Sequence, residues 1–265
     1  MIMGVLNVTP DSFSDGGKYY NKRKAVDHAL QMAGEGADII DVGGESTRPG
    51  ARDISVEEEL SRVIPVIEAI SKKINIPISI DTRKSKVAEA SARAGARIIN
   101  DISGLRDDPE MAKVAAKYSA TVIVMHMKGT PRNMQIAPRY GNLISEVKAA
   151  LSESLKIARL AGIDEDKMVI DPGIGFGKTL RHNIEILNRL DEFKALGKPI
   201  CVGTSRKSFI GKILNVHGAA DRLTGTIATC VLAITKGANI LRVHDIKAAV
   251  EAATITDSIL KAGAK

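Results

Sequence analysis

The sequence predicts an α/β protein, a single (β/α)8 TIM barrel. Eight short β-branched runs recur along the 265 residues, and each is followed by a polar cluster and then an amphipathic segment. The runs are apolar on both faces, which is typical of strands in a parallel sheet. Eight units in about 250 residues match the number and size of a barrel, although right-handed crossovers also permit an open doubly wound sheet. No linker or shift in composition marks a second domain, so we expect one domain over 1–265.

The predicted strands can be placed in order along the chain. Each is a short run rich in Ile and Val that ends in polar residues or glycine. They cover 1–8, 37–44, 77–82, 97–103, 121–127, 167–173, 199–205 and 239–245.

Helical patterns lie between the strands, and several have recognisable ends. Ser55 and Glu58 have the spacing of a capping box, and Pro65 is expected only to kink the helix that follows. Asp108 and Pro109 predict the start of another helix. The clearest helical patterns are 56–70, 143–161, 219–236 and 245–261.

Composition excludes several classes of protein. Hydrophobic residues make up 44% of the chain, but aromatic residues only 3%, so Ile, Val, Leu and Ala must fill the core. The net charge of +7 is scattered, which suits small anionic substrates better than nucleic acid. No apolar stretch approaches the ~20 residues of a membrane span, and no secretory signal opens the chain, so we expect a soluble cytoplasmic protein that does not bind membranes. Cys201 and Cys230 lie in apolar runs and are expected to be buried thiols.

The polar residues at the strand ends predict an active site. For any one of them a helix cap or a turn would be the simpler explanation. In a barrel, however, all of them meet at the C-terminal rim, where active sites are built. They are Asn7, Asp41, Asp81, Asn100, Asp101, His126, Asp171, Ser205, Lys207, Arg242 and His244.

The first loop is longer than a turn requires. The stretch NVTPDSFSDGG over 7–17 is polar and rich in glycine, whereas most connections need only a few residues. It is long enough to fold over the rim, so we expect it to act as a lid.

Two nucleotide-binding motifs are excluded. DPGIGFGKT over 171–179 resembles a phosphate loop, but Pro172 stands where that loop needs glycine. Its glycines are evenly spaced, which does not fit the dinucleotide fingerprint. The five histidines show no zinc spacing with cysteine. Oxygen ligands would instead suit Mg²⁺ bound together with a phosphate.

The strand-end residues indicate a planar polar ligand. Buried Asp81, Asn100 and Asp171 would need hydrogen-bond donors, which the edge of an amino-pyrimidinone ring supplies. Lys207 could hold the carbonyl side of such a ring. Arg48, Arg242 and His244 could form an anion site beside it.

On these residues the sequence resembles the dihydropteroate synthase family over nearly the whole chain. The resemblance implies a TIM-barrel transferase, usually a homodimer, that uses Mg²⁺ in folate and tetrahydrofolate biosynthesis. It implies that p-aminobenzoate is joined to 6-hydroxymethyl-7,8-dihydropterin diphosphate, giving 7,8-dihydropteroate and pyrophosphate, and that sulfonamides compete with p-aminobenzoate. The matching stretches are MGVLNVTPDSFSDGG, IIDVGGESTRPGA, SIDT, IINDISG, MHMKGTPRNMQ, VIDPGIGFGK, GTSRKSFIG and LRVHD.

The resemblance also assigns roles to residues. Asn7 is implied as the Mg²⁺ ligand, and Asp11, Phe13 and Asp15 as parts of the lid. The catalytic residues would be Lys207, Arg242, His244 and Asp81. The residues implied to bind the pterin are Asp81, Asn100, Met125, Asp171 and Lys207. Those implied to bind the diphosphate are Asn7, Thr47, Arg48, Arg242 and His244. Those implied to shape the p-aminobenzoate pocket are Phe13, Pro49, Phe176 and Ser208.

The implied mechanism breaks the C–O bond before the new bond forms. The pterin ring delocalises the positive charge of the exocyclic methylene, and Mg²⁺, Arg48, Arg242 and His244 neutralise the departing pyrophosphate. The aniline nitrogen then attacks, while a closed lid excludes water.

Two other functions share parts of this pattern. A pterin-binding barrel that transfers a methyl group to a corrinoid protein would keep the pterin residues. It would not need STRPGA, RVHD or SRKSF. A catalytically inactive pterin-binding protein could lose Asn7 or His244, and both are present.

Overall fold

A computed structural model describes residues 1–9, 22–46 and 50–263 of the chain. Eight parallel strands in this part form one sheet in the order β6-β5-β4-β3-β2-β1-β8-β7. The strands are β1 (Ile2–Asn7), β2 (Ile39–Gly43), β3 (Ile78–Asp81), β4 (Ile98–Asp101), β5 (Thr121–Met125), β6 (Met168–Asp171), β7 (Cys201–Val202) and β8 (Ile240–Val243).

Helices follow the strands along the chain and cover the outside of the sheet. They are α1 (Lys22–Gly34), α2 (Val56–Ile70), α3 (Ser85–Ala94), α4 (Met111–Lys117), α5 (Leu143–Leu160), α6 (Leu180–Asn188), α7 (Ser208–Leu214), α8 (Leu223–Thr235) and α9 (Ile246–Gly263). Within the described ranges, no helix is long and apolar enough to cross a bilayer.

The sheet closes on itself between β6 and the start of β7. The Ile170 N–H donates a hydrogen bond to the Pro199 carbonyl at 3.0 Å, and Ile170 and Ile200 form a parallel bridge. The predicted barrel is therefore confirmed, and the open doubly wound sheet is excluded.

Alternation along the strands places one set of side chains inside the barrel and the other against the helices. The helix-facing set belongs to one large apolar core that includes Leu6, Ile40 and Ile80. The inward set forms a separate small cluster nearer the N-terminal ends of the strands: Met3, Ile39, Ile98, Ile123, Val169, Cys201 and Ile240.

Two positions further along β2, β4, β6 and β8, the inward set becomes polar, and Asp81 of β3 lies in the same layer, paired with Asn100. On β2 and β3 these residues are Asp41 and Asp81, on β4 and β6 Asn100 and Asp171, and on β8 Arg242. The apolar cluster thus forms a floor on which a polar layer rests at the C-terminal mouth of the barrel.

Two expected helix starts are corrected in detail. Ser55 accepts a hydrogen bond from the Glu58 N–H at 3.1 Å, but the Glu58 carboxylate pairs with Arg62, so only half of the capping box forms. The α4 helix begins at Met111, and the Asp108 carboxylate accepts from the Glu110 N–H before it and from the Ser85 N–H. Cys201 and Cys230 are buried free thiols, as predicted.

Candidate active site in the barrel mouth

The structure brings most of the predicted strand-end residues together at the C-terminal mouth. Asp81, Asn100 and Asp171 are all less than a tenth exposed. Asp81 and Asn100 come from the neighbouring strands β3 and β4, and Asp171 comes from β6, on the far side of β5. Asp81 and Asn100 lie at the same level of the barrel because the register of β3 and β4 pairs them directly.

Arg242 is held between two carboxylates. Its Nε donates to Asp41 Oδ2 and its Nη2 to Asp81 Oδ2, both at 2.6 Å. These charges raise the pKa of Arg242 above its ordinary value against the opposing effect of burial. Arg242, which was expected at an anion site, therefore also links β2, β3 and β8. Its Nη1 makes none of the described hydrogen bonds, so this nitrogen could donate to a ligand.

Asp41 orients Asn100 as well. The Asn100 amide Nδ2 donates to Asp41 Oδ2 at 3.2 Å, which leaves its Oδ1 as an acceptor for a ligand. Asp41 is fully buried, and its Oδ1 has no hydrogen-bond partner among the described residues. The strand-end pattern marked Asp41 as polar, but sequence alone gave it no role.

Burial governs the charge of the two other carboxylates. It raises the pKa of Asp81 to about 7, although the nearby Arg242 guanidinium opposes that shift. It also raises the pKa of Asp171, whose Oδ1 accepts from the Gly173 N–H at 2.7 Å and whose charge Lys207 helps to stabilise. Hydrogen bonds from the N–H groups of a ligand would stabilise the ionised form of both carboxylates.

Lys207 precedes α7 and extends its ammonium group across the mouth. Its Nζ donates to the Ile174 carbonyl and lies 4.9 Å from the centroid of the Phe176 ring. Burial lowers the pKa of Lys207 to about 8, while Asp171 opposes that shift. A ligand carbonyl could take the place of Ile174 O as its acceptor.

Phe176 forms an apolar wall next to this lysine. Its half-buried ring packs against a small cluster separate from the main core. Ser208, the first residue of α7, is exposed on the same rim. The cluster beneath Phe176 is Ile102, Met125, Met127 and Met134.

Ser205 contacts His244 at the end of β8. The Ser205 hydroxyl oxygen accepts from the His244 backbone N–H at 3.2 Å and lies 3.0 Å from its Nδ1. This contact holds the His244 ring at the C-terminal mouth of the barrel. The strand-end pattern identified Ser205 but did not predict that it contacts His244.

Several expected residues lie outside the described part of the chain. Asn7 is described, at the end of β1, with its Oδ1 3.6 Å from where a Cβ on Gly43 would stand. No group of three or more His, Cys, Asp or Glu residues in the described ranges could hold a metal. The residues outside are Asp11, Phe13, Asp15, Thr47, Arg48 and Pro49.

The arrangement can bind a flat polar ring. Asp171 and Asn100 supply acceptors on one side, and Lys207 supplies a donor on another. Phe176 adds an apolar surface beside Lys207, and Arg242 adds positive charge and a donor. A ring with an N–H edge, a carbonyl and an anionic substituent complements this set.

Comparisons with known proteins agree with that chemistry. The family described as pterin binding enzyme matches residues 3–244. The dihydropteroate synthase of Escherichia coli K12 is 51% identical over 261 residues, covering 98% of this chain and 92% of its own. The crystal structure of Yersinia pestis dihydropteroate synthase with a sulfonamide drug complex superposes with a TM-score of 0.93 at 45% identity, covering 98% and 94% of the two chains. The Xanthomonas albilineans dihydropteroate synthase with 4-aminobenzoic acid gives 0.92 at 44% identity, covering 98% and 92%.

Proposed function

The chain belongs to the pterin-binding enzymes and, within them, to the dihydropteroate synthases, and we propose that the barrel mouth is where it binds the pterin. An enzyme of this kind joins 6-hydroxymethyl-7,8-dihydropterin diphosphate to p-aminobenzoate, forming 7,8-dihydropteroate and releasing pyrophosphate. One observation supports the proposal most strongly: the inward layer changes from apolar to polar within two residues on β2, β4, β6 and β8.

The pterin ring is assigned to the buried acceptors. The Asp171 carboxylate and the Asn100 Oδ1 accept from the ring's N–H groups, because Asn100 already donates its Nδ2 to Asp41. Lys207 donates to the ring carbonyl in place of Ile174 O. Met125, buried beneath Phe176, packs against the ring from below.

The diphosphate is assigned to the rim. Arg242 offers Nη1, and the family resemblance implies His244, Thr47 and Arg48 as the further ligands. Asn7 would hold Mg²⁺, whose preference for a few protein oxygens together with phosphate and water suits a single amide ligand better than a ready-made acidic cluster. When bound, the ion supplies positive charge to the departing pyrophosphate.

The second substrate is assigned to the Phe176 side of the mouth, with Ser208 at its edge, and the family resemblance implies Phe13 and Pro49 as further residues of this pocket. The bound molecules of the Yersinia pestis and Xanthomonas albilineans structures, a sulfonamide drug complex and 4-aminobenzoic acid, support p-aminobenzoate here and sulfonamides as its competitors. The loop with Asp15 would cover both substrates.

The chain's own residues then favour departure before attack. Arg242 and His244 stabilise the charge that develops on the leaving pyrophosphate. Asp81, next to Arg242, provides negative charge near the cationic pterin. The aniline nitrogen attacks the exocyclic methylene and loses a proton, and the buried setting keeps water from competing.

We also propose that the enzyme is a homodimer in the cytoplasm. Large apolar side chains are exposed on α8 and α9, among them Leu232 at 39%, Ile255 at 63% and Ile259 at 67%. Since α8 and α9 pack against each other, these exposed apolar side chains suit a protein interface better than open solvent.

The reaction itself tests the proposal. Purified protein is mixed with Mg²⁺, the pterin diphosphate and p-aminobenzoate, and both products are quantified. Equal amounts of dihydropteroate and pyrophosphate support the assignment. Absence of dihydropteroate under conditions in which the Escherichia coli enzyme forms it would reject it.

A further inference from the structure

Lys178 is a buried lysine to which the proposed chemistry gives no role. It follows the glycine-rich loop after β6 and is 2% exposed. Its Nζ lies 2.9 Å from His126 Nδ1, 3.2 Å from the His126 carbonyl and 3.0 Å from the Phe176 carbonyl. It therefore joins the end of β5 to the loop that carries Phe176.

These contacts do not depend on one protonation state. Burial lowers the pKa of Lys178 well below its ordinary value, with Asp171 opposing, and it lowers the pKa of His126 to about 2, so the imidazole is neutral. A cationic Lys178 donates to all three acceptors. A neutral amine donates to both carbonyls and accepts from Nδ1–H.

The loop that Lys178 holds has an unusual backbone. Gly173, Gly175 and Gly177 have φ angles of 72°, 87° and 64°, in the left-handed region. A Cβ on Gly173 would lie 1.9 Å from the His126 carbonyl oxygen, so the loop rests directly on the end of β5. Such close packing requires contacts that hold both the loop and the end of β5 in place.

Four successive carbonyls of this loop each accept from a different side chain. The Lys207 Nζ donates to Ile174 O, Gln135 to Gly175 O at 2.7 Å, Lys178 to Phe176 O, and the Tyr140 hydroxyl to Gly177 O at 2.8 Å. Lys178 is the one among these donors that also bonds the β5 end. Its loss would free the peptide next to the Phe176 ring.

We propose that Lys178 is a positioning residue that fixes Phe176 as the wall of the second-substrate pocket. Phe176 lies between two glycines of positive φ, and it packs against the cluster that contains Met125, with Lys207 Nζ 4.9 Å from its ring centroid. This proposal rests on the proposed function, in which Phe176 faces p-aminobenzoate. The pterin acceptors Asp171 and Asn100 lie on strands, and the described contact between them and the loop is the hydrogen bond from the Gly173 N–H to Asp171.

The test replaces Lys178 with methionine, which has a similar reach but no donors. We expect the KM for p-aminobenzoate to rise about tenfold or more, since small misplacements carry costs of this order. The KM for the pterin diphosphate should change far less. Lys198→Met is the matched control, because Lys198 is also buried (8% side-chain exposure) and also caps a carbonyl, that of Glu165, away from the site.

A double variant separates positioning from general stability. If Lys178 acts through Phe176, then Lys178→Met should add little to the KM effect of Phe176→Ala. The proposal would be overturned if the KM effects of Lys178→Met and Phe176→Ala multiplied in the double variant. It would also be overturned if both KM values rose equally or if Lys198→Met gave the same result. If the methionine variant is unfolded at the assay temperature, Lys178→Gln replaces it in the same comparison.

Amide hydrogen exchange tests the role of Lys178 separately from the proposed function. Exchange over 173–177 should speed up in Lys178→Met but not in Lys198→Met, whatever the activity. Wild-type protein that forms no dihydropteroate would reject the proposed function, whereas unchanged exchange in this loop would reject the role of Lys178.

Discussion

Arg242 Nε lies 2.6 Å from Asp41 Oδ2, across 201 positions of sequence. Asp41 is fully buried and also accepts from the Asn100 amide, so one carboxylate sets the direction of two ligand-facing side chains. The site therefore depends on a residue that need not touch the substrate.

Asp41→Asn should destabilise the fold strongly. Removing one partner of a buried ion pair costs up to about 3–5 kcal/mol, and Arg242 would keep only its contact with Asp81. Urea unfolding measures the loss. Asp53→Asn is the control, because Asp53 pairs with Arg83 while its side chain is 63% exposed, and such pairs are worth about 1 kcal/mol or less. Similar small losses in both variants would contradict the importance of this pair.

Asp171→Asn should weaken pterin binding. The carboxylate is expected to accept paired N–H donors, and a hydrogen bond to a charged group is worth about 1.5–3 kcal/mol, or at least tenfold in affinity. Calorimetric titration with a pterin checks this. Asp166→Asn, an exposed aspartate before β6, is the control. Unchanged affinity in Asp171→Asn would remove the residue from the role.

Asp81 should make stability depend on pH between its unfolded and folded pKa values. Its pKa is raised from 3.8 to about 7, so the native state holds a proton that the unfolded state releases over this range. Its contribution is fully present below pH 3.8 and is lost as the pH rises through about 7. The melting temperature of wild type relative to Asp81→Asn should therefore decline from pH 4 to pH 8. A flat difference would show that Asp81 is ionised throughout.

Much of this site could be predicted because it follows from strand position. The polar strand ends had to meet at one rim once the barrel closed, and Asp81, Asn100 and Asp171 do so. Side-chain pairing could not be predicted in the same way. Arg242 and Asp41 come from the last strand and the second, and nothing in local spacing shows that they form a pair.

Lys178 illustrates a second limit. In the sequence it is part of a glycine-rich stretch that resembles a failed phosphate loop. Only the close packing of that loop against His126 shows a buried amine with three partners. The half-formed cap at Ser55 has a different, local cause, because Arg62, one helical turn after Glu58, competes for its carboxylate.

Asn7→Ala should raise the Mg²⁺ concentration needed for half-maximal activity. Loss of a ligand or its support lowers metal affinity about 10- to 100-fold. Binding of 6-hydroxymethylpterin, which lacks the diphosphate, should be unaffected and serves as the control. An unchanged Mg²⁺ requirement would exclude Asn7 as the ligand.

Ile259→Glu should dissociate the proposed dimer. A charge placed on the apolar face of α9 would have to be buried between subunits, which is strongly unfavourable. Sedimentation velocity measures the mass. Leu160→Glu is the control, since Leu160 is 81% exposed at the end of α5. A dimer that survives Ile259→Glu would place the interface elsewhere, and a monomeric wild type would reject dimerisation.

The most direct test of the assigned site is a crystal structure with 6-hydroxymethyl-7,8-dihydropterin diphosphate bound. We predict that the ring lies in the barrel mouth, with its N–H edge on Asp171 and Asn100 Oδ1, its carbonyl on Lys207 Nζ and its diphosphate toward His244. A pterin bound outside the barrel mouth, or in the mouth without contact to Asp171 and Asn100, would contradict the account.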